Sequence, residues 1–354
     1  MQGLRMQRIA VWNTAFLGDA VLTLPLLQSL RLRYPEAAID YYVRGGLASL
    51  FEAHPAISTV FSYDKRATDK GVLSLFRLGR EIAARKYSLW LSPHTSLRSA
   101  AVALASRAPV RVGYSEPAYN KIAYTCRVDR HFGQGHEVER ILRLLEPLGP
   151  GPVSAWPEIA LPQAAHEKAQ AFFSALPPGP VVGMHPGSVW ASKRWPVEHF
   201  AALAARAIDH GVQTVIFAGK GEEEALAKAV VGRVRELRGN AAEPLLHDLS
   251  AQISLVELAA FISRLDCYVG NDSGPMHMAW CLRTPVVTIF GPTAREFGFT
   301  PRGEKDCIVD VDEPCRPCGR HGHTQCPEGH HRCMLRVSPE AVWAAVRGIL
   351  GGKI

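Results

Sequence analysis

No apolar run in this 354-residue sequence approaches the ~18–20 residues that a membrane-spanning helix requires. A secretory leader is lacking too, because the short apolar stretch in "MQGLRMQRIAVWN" turns polar at once. Low-complexity tracts and short-period repeats are missing, which leaves no sign of solenoids or disordered arms. The eight cysteines have no oxidising context, so a disulfide framework is not expected. These absences together predict a globular cytoplasmic protein.

What is present is ordinary in bulk and uneven in detail. The chain is 47% hydrophobic and 21% charged, enough for sizeable cores, and its length suggests about two domains. The formal net charge is +7. Between Phe61 and Arg130 thirteen Lys or Arg stand against five Asp or Glu. Such a cationic face suits nucleic acid, acidic lipid or a phosphorylated substrate, and equally a solvated basic surface.

Apolar patterning alternates between short buried runs and helical spacing. Strands are predicted at Arg8–Asn13, Ile39–Val43, Thr59–Ser62, Ser88–Leu91 and Val110–Gly113. Helices are predicted near Gly18–Arg33, Val72–Arg85, Leu97–Ser106 and Glu137–Leu148. The Pro/Gly-rich "EPLGPGPVSAWPEIALPQ" reads as a linker. Alternation then restarts with strands at Val181–Met184, Thr214–Ala218, Asp266–Val269 and Val286–Phe290. Helices are expected at Val197–His210, Glu222–Leu237, Leu255–Ser263, Pro275–Cys281 and Pro339–Leu350. Two blocks of alternating strand and helix imply an α/β protein with two parallel-sheet domains facing across a cleft.

Four loops carry candidate chemistry. "NTAFLGD" (Asn13–Asp19) joins the first strand to the first helix, where open α/β sheets bind ligands. Asp19 there is either a helix N-terminal charge or an active-site acid or base. "MHPGSVWASKRWP" offers Ser188 and Lys193 to phosphate, the lysine as a point charge. "FAGKGEEEALAK" places three glutamates at a helix start, where capping competes with ribose binding. "CYVGNDSGPMHMAW" sets Asp272, Ser273, Gly274 and His277 at a strand–helix switch, with free backbone N–H groups for an anion.

The chain resembles the bacterial lipopolysaccharide heptosyltransferases, family 9 of the glycosyltransferases. The likeness runs through "NTAFLGDAVLTLPLLQSLR", "SPHTSLRSA", "HEVER", "HPGSVWASKRWP", "GNDSGPMHMA" and "FGPT". The Cys/His-rich "CRPCGRHGHTQCPEGHHRCM" looks most like the heptosyltransferase II branch. The resemblance implies two Rossmann-like domains in the GT-B arrangement. Residues 1–160 would bind acceptor and 161–338 nucleotide sugar, with the helix of 339–354 packing back on the N-terminal domain. It implies an inverting transfer of heptose from ADP-heptose to the lipid A–Kdo–heptose inner core, with Asp19 as general base. Lys193, Ser188, Ser273, His277 and the backbone at Gly274 would hold the diphosphate, so that catalysis requires no cofactor. Asp272 would orient its turn or touch donor, and Glu222 or Glu224 would hold ribose. Asn13, Thr14, Gly18 and Arg98 would face the acceptor. The resemblance further implies a monomer, with peripheral contact at the cytoplasmic face of the inner membrane. The alternatives are a nucleotide-sugar epimerase, or a family 9 enzyme with another donor or acceptor.

Cys315, Cys318, Cys326 and Cys333 are spaced C-x2-C-x7-C-x6-C, with His321, His323, His330 and His331 among them. Four thiolates, or three and a histidine, would suit a structural zinc. Reduced thiols on a basic loop are the other reading, and an iron–sulfur cluster a third. A nucleic-acid-binding knuckle would carry stacking aromatics. Residues 315–333 contain none, so no nucleic-acid partner is expected.

Overall fold

Strand β1 (Arg8–Asn13) is buried at every residue but the first, which is why it reads as an unbroken apolar run rather than an alternating one. The computed structural model describes residues 6–64 and 72–354. Lys65, Arg66 and Lys70, three of the basic residues counted above, lie outside the described residues. After β1 come α1 (Leu17–Leu22), α2 (Leu24–Arg33), β2 (Ala38–Arg44), β3 (Thr59–Tyr63), α3 (Val72–Ala84) and β4 (Leu89–Leu91). Then follow α4 (Leu97–Ala105), β5 (Val110–Tyr114), α5 (Asn120–Ala123), β6 (Cys126–Val128) and α6 (Glu137–Leu142). The six strands are all parallel, in the order β3-β2-β1-β4-β5-β6. An aromatic cluster of Trp12, Tyr42, Tyr63, Tyr87 and Trp90 fills one side of this sheet.

The single helix expected over Gly18–Arg33 is two helices. Thr23 ends α1, and Pro25 stands in the first turn of α2, where its missing N–H costs nothing. The Thr23 hydroxyl turns back to donate to the Asp19 carbonyl at 2.8 Å.

A second compact unit begins at Leu161. It runs α7 (Gln163–Ser174), β7 (Val181–His185), α8 (Val197–Asp209), β8 (Gln213–Ile216), α9 (Glu222–Arg238) and β9 (Leu246–Asp248). There follow α10 (Leu255–Ile262), β10 (Cys267–Asn271), α11 (Gly274–Cys281), β11 (Val286–Ile289), β12 (Cys307–Val309), α12 (Arg332–Leu335) and α13 (Pro339–Leu350). Its parallel sheet is ordered β12-β11-β10-β7-β8-β9. Counted from its own first strand, that is the order of the first unit.

Three strands escape the sequence pattern: β6, β9 and β12, each three residues long and too short to show a period. Helix α7 was hidden by the proline-rich interval it follows, starting directly after Pro162. Residues 339–354 fall within the second unit. Val342, Trp343, Val346 and Leu350 of α13 join Phe200, Ala204, Ala207 and Ile208 of α8 in the core of the second unit. Among the described residues no helix is long and apolar enough to cross a membrane.

Candidate active site

In both sheets the strand order reverses at the centre, between β1 and β4 in the first unit and between β7 and β10 in the second. Ligands bind beyond the carboxyl ends of strands at such switch points. The ends of these four strands and the segments that follow them carry most of the residues singled out from the sequence, Glu222, Glu224 and the four cysteines excepted.

In the first unit Asn13 closes β1 and is spent on the loop. Its Nδ2 donates to the Thr23 hydroxyl at 2.8 Å and to the Asp19 carbonyl at 3.1 Å, while its Oδ1 accepts the Ala15 N–H. Thr14 is buried, with its hydroxyl 3.4 Å from His94 Nδ1 on the loop after β4. Gly18 lies in the first turn of α1. Arg98, in the first turn of α4, donates to the Tyr63 hydroxyl at 2.9 Å.

Asp19 stands at the third position of α1 and accepts the Phe16 N–H at 3.2 Å. It therefore does cap the helix, yet the residue keeps partial exposure. Burial raises its pKa to about 6, and repulsion from Glu137 adds to that. The Phe16 N–H and the Arg130 guanidinium pull the other way. Glu137, the first residue of α6, is itself buried between Arg130 at 2.5 Å and Arg140 at 2.7 Å. The sequence reading did not assign this carboxylate–guanidinium group, of which "HEVER" holds Glu137 and Arg140 but not Arg130.

In the second unit Asn271 closes β10 and pins two loops together. Its Oδ1 accepts the Trp195 N–H at 2.9 Å, and its Nδ2 donates to the Pro186 and Gly187 carbonyls. Next to it, Asp272 Oδ2 receives Lys193 Nζ at 2.5 Å and the Thr293 hydroxyl at 2.8 Å. Burial alone would raise the Asp272 carboxyl. The Lys193 ammonium and the Thr293 hydroxyl outweigh it and hold the group below the usual carboxylate range. Thr293, from "FGPT", is a site residue that the sequence reading did not assign.

Ser273 caps α11 and Gly274 opens it, with Pro275 in its first turn. His277 lies one turn on. Burial pushes its pKa down to about 4; Asp272 opposes the shift and Lys193 adds to it. The imidazole is therefore neutral at physiological pH. Ser273 Oγ, His277 Nδ1 and His185 Nδ1 are buried without a hydrogen-bond partner. Such an atom left unpaired costs about 1–3 kcal/mol, and all three lie at or just beyond the carboxyl ends of β7 and β10. Ser188 is buried on the same β7 loop, its carbonyl accepting Arg194 Nε.

The three glutamates at the start of α9 separate cleanly. Glu222 is held by Arg194 at 2.6 and 3.0 Å, and Glu224 by Lys228 at 2.5 Å. Glu223 turns inward instead. It accepts the Gly219 N–H, lies 3.9 Å from His185, and packs on Gly187, where a Cβ would meet its carboxyl at 2.7 Å.

The cysteine segment presents no closed donor set. Among the described residues no group of three or more His, Cys, Asp or Glu is gathered to hold a metal. Cys318 donates to the Cys315 carbonyl, Cys326 accepts the His331 N–H, and Cys315 lies 3.9 Å from His330. Cys333 is buried against the chain at Gly291. All four thiols are free, and burial, with the neighbouring thiols, raises the pKa values of Cys318 and Cys333.

Comparison with known proteins adds the family to this geometry. Residues 75–330 match the model for glycosyltransferase family 9 (heptosyltransferase). Lipopolysaccharide heptosyltransferase 2 of Escherichia coli strain K12 is 25% identical over 354 residues, covering 97% of this chain and 98% of its own. The crystal structure of a family 9 glycosyl transferase from Veillonella parvula superposes with a TM-score of 0.83 at 27% identity, covering 99% of this chain and 98% of its own. The E. coli ADP-heptose lps heptosyltransferase II structure gives 0.78 at 22% identity, with 98% of each chain covered. Two Rossmann-like units with these switch-point loops, and a family match over most of the sequence, lead to one assignment: the chain belongs to glycosyltransferase family 9, the heptosyltransferases.

Proposed function

We propose that this enzyme transfers heptose from ADP-heptose to the lipid A–Kdo–heptose inner core of lipopolysaccharide, with inversion at the anomeric carbon. Asp19 carries the reading. It is a carboxylate on a partly exposed residue at a switch point, with a pKa raised to about 6 by burial. Such a group is largely ionised at neutral pH and a stronger base than a free aspartate. It takes the proton of the acceptor hydroxyl as that oxygen bonds to the anomeric carbon. The bond from that carbon to the β-phosphate oxygen breaks, and the electron pair leaves with ADP.

The second unit meets the charge that develops on the departing diphosphate. Lys193 supplies an ammonium, the start of α11 supplies backbone N–H groups, and Ser273 and neutral His277 supply polar atoms. Asp272 holds Lys193 in place. Glu223, rather than Glu222 or Glu224, is the glutamate free to bond ribose hydroxyls. Arg98 and the basic residues around it are suited to acceptor phosphates and carboxylates at the cytoplasmic face of the inner membrane. The names of the relatives support this choice of donor and acceptor.

The test is a donor panel against purified lipopolysaccharide truncations, read by mass spectrometry, with the product's anomeric configuration read by NMR. Transfer from ADP-heptose with inversion supports the proposal; a retained configuration or an unaltered acceptor refutes it.

A further inference from the structure

The function just proposed leaves the Cys/His segment unused, yet that segment grips the lysine of the donor loop. Ser192, directly before Lys193, is buried, and all its polar groups are taken by residues more than 130 positions away. Its N–H donates to the His323 carbonyl at 3.0 Å, and its hydroxyl accepts the His323 N–H at 2.8 Å. Its carbonyl lies 2.8 Å from His331 Nε2, which must therefore be the donor. Gly322 lies so close to the lysine stem that a Cβ there would sit 2.4 Å from Trp190 Cβ and 3.0 Å from Lys193 Cγ. The same segment touches the other partner of Asp272, since the Cys318 N–H donates to the Pro292 carbonyl beside Thr293.

We propose that His331, with the His323 backbone and the bare Gly322, is a positioning element that fixes Lys193 for the donor diphosphate. The inference rests on the donor-phosphate reading of Lys193. A flexible lysine loses affinity if its stem is free to wander, because the ordering is then borne at binding. The clasp removes that freedom beforehand. His331 touches no donor in this scheme and acts only through the Ser192–Lys193 backbone.

The test is ADP titration calorimetry on the full-length chain, comparing His331→Ala, His331→Gln, Gly322→Ala, Lys193→Ala and the double variant His331→Ala/Lys193→Ala. A second readout is the rate at which an amine reagent labels Lys193, followed by peptide mass spectrometry without ADP. His331→Ala should weaken ADP by about three- to tenfold, the size of one lost hydrogen bond, and speed Lys193 labelling. Gln, which can donate to the same carbonyl, should restore both. The double variant should bind no worse than Lys193→Ala, since the clasp works only through that lysine. Gly322→Ala should reproduce the His331→Ala phenotype if the latter fails to fold. Additive losses in the double variant, or labelling unchanged in both His331→Ala and Gly322→Ala, would overturn the inference. Lys193→Ala with wild-type ADP affinity would refute the donor reading instead, and labelling alone would then decide whether the clasp positions the lysine.

Discussion

The two units share one strand order and one device, and they use both for opposite charges. Each ends a central strand with a buried asparagine: the Asn13 amide on β1 staples the loop beyond its own strand, and the Asn271 amide on β10 holds the neighbouring loop after β7. In the first unit the stapled loop presents a carboxylate held back from ionising, Asp19 beside the acidic Glu137. In the second, the residue directly after the asparagine is a carboxylate held ionised, Asp272, which receives Lys193 from the stapled loop and Thr293. In the proposed mechanism the first arrangement serves as a base, while the second anchors a cation. The fold thus supplies the place, and one neighbouring charge decides what a carboxylate there does.

Removing the base should have the largest effect. Asp19→Asn is expected to lower turnover by about 10²–10⁴-fold with ADP affinity unchanged, in steady-state assays paired with calorimetry. Turnover within a few-fold of wild type would leave Asp19 as a helix-capping charge alone. Lys193→Ala should do the converse, weakening ADP by about 10–100-fold, the worth of a charge-assisted bond, and it would leave Asp272 buried and unpaired. Glu223→Gln should cost about tenfold in ADP affinity, whereas Glu222→Gln and Glu224→Gln should each change it by less than about twofold, as exposed ion pairs do.

Two finer effects bear on Asp19 alone. The acid limb of kcat/KM should fall near pH 6, and Glu137→Gln should move it toward the ordinary carboxylate range, because a repelling charge is gone and Arg130 is freed. A limb that stays put would remove Glu137 from the comparison. Stability should run the opposite way. With its folded pKa raised above 3.8, Asp19 favours the fold when protonated, an advantage present below about pH 4 and lost as pH rises through about 6. Asp19→Asn should therefore melt about 1–3 °C higher at pH 8, with the difference vanishing at pH 4.

Much of this was legible in the residues. Asp19, Lys193, Asp272, Ser273 and His277 stand on the predicted strand–helix loops, because short apolar runs followed by Gly, Ser or Pro punctuation mark those switches well. What was hidden depends on which way a side chain turns. In "GEEE" the sequence offers three equal glutamates, and only the helix start at Glu222, with Arg194 and Lys228 as competitors, singles out Glu223. Glu137 lies 118 residues from Asp19, and no local period reports a pairing made through the tertiary fold. The break at Thr23 was readable from Pro25 but was outweighed by the continuous leucine spacing on either side. The spacing of the four cysteines suits zinc or free thiols alike, and nothing in the spacing foretells that Cys318 donates to the Cys315 carbonyl, Cys326 accepts the His331 N–H and Cys333 lies against Gly291.

The seating of α13 has a consequence for how the molecule is made. The first unit is one uninterrupted stretch ending at Ala160, so every strand and helix it needs has left the ribosome while the second is still being translated. The second unit has no such head start. Trp343, Val346 and Leu350 close its core, so the core around α8 stays open until residues 339–350 have been made. A nascent chain stalled before Pro339 would carry a finished first unit and an unsealed second one, a target for chaperones and proteases.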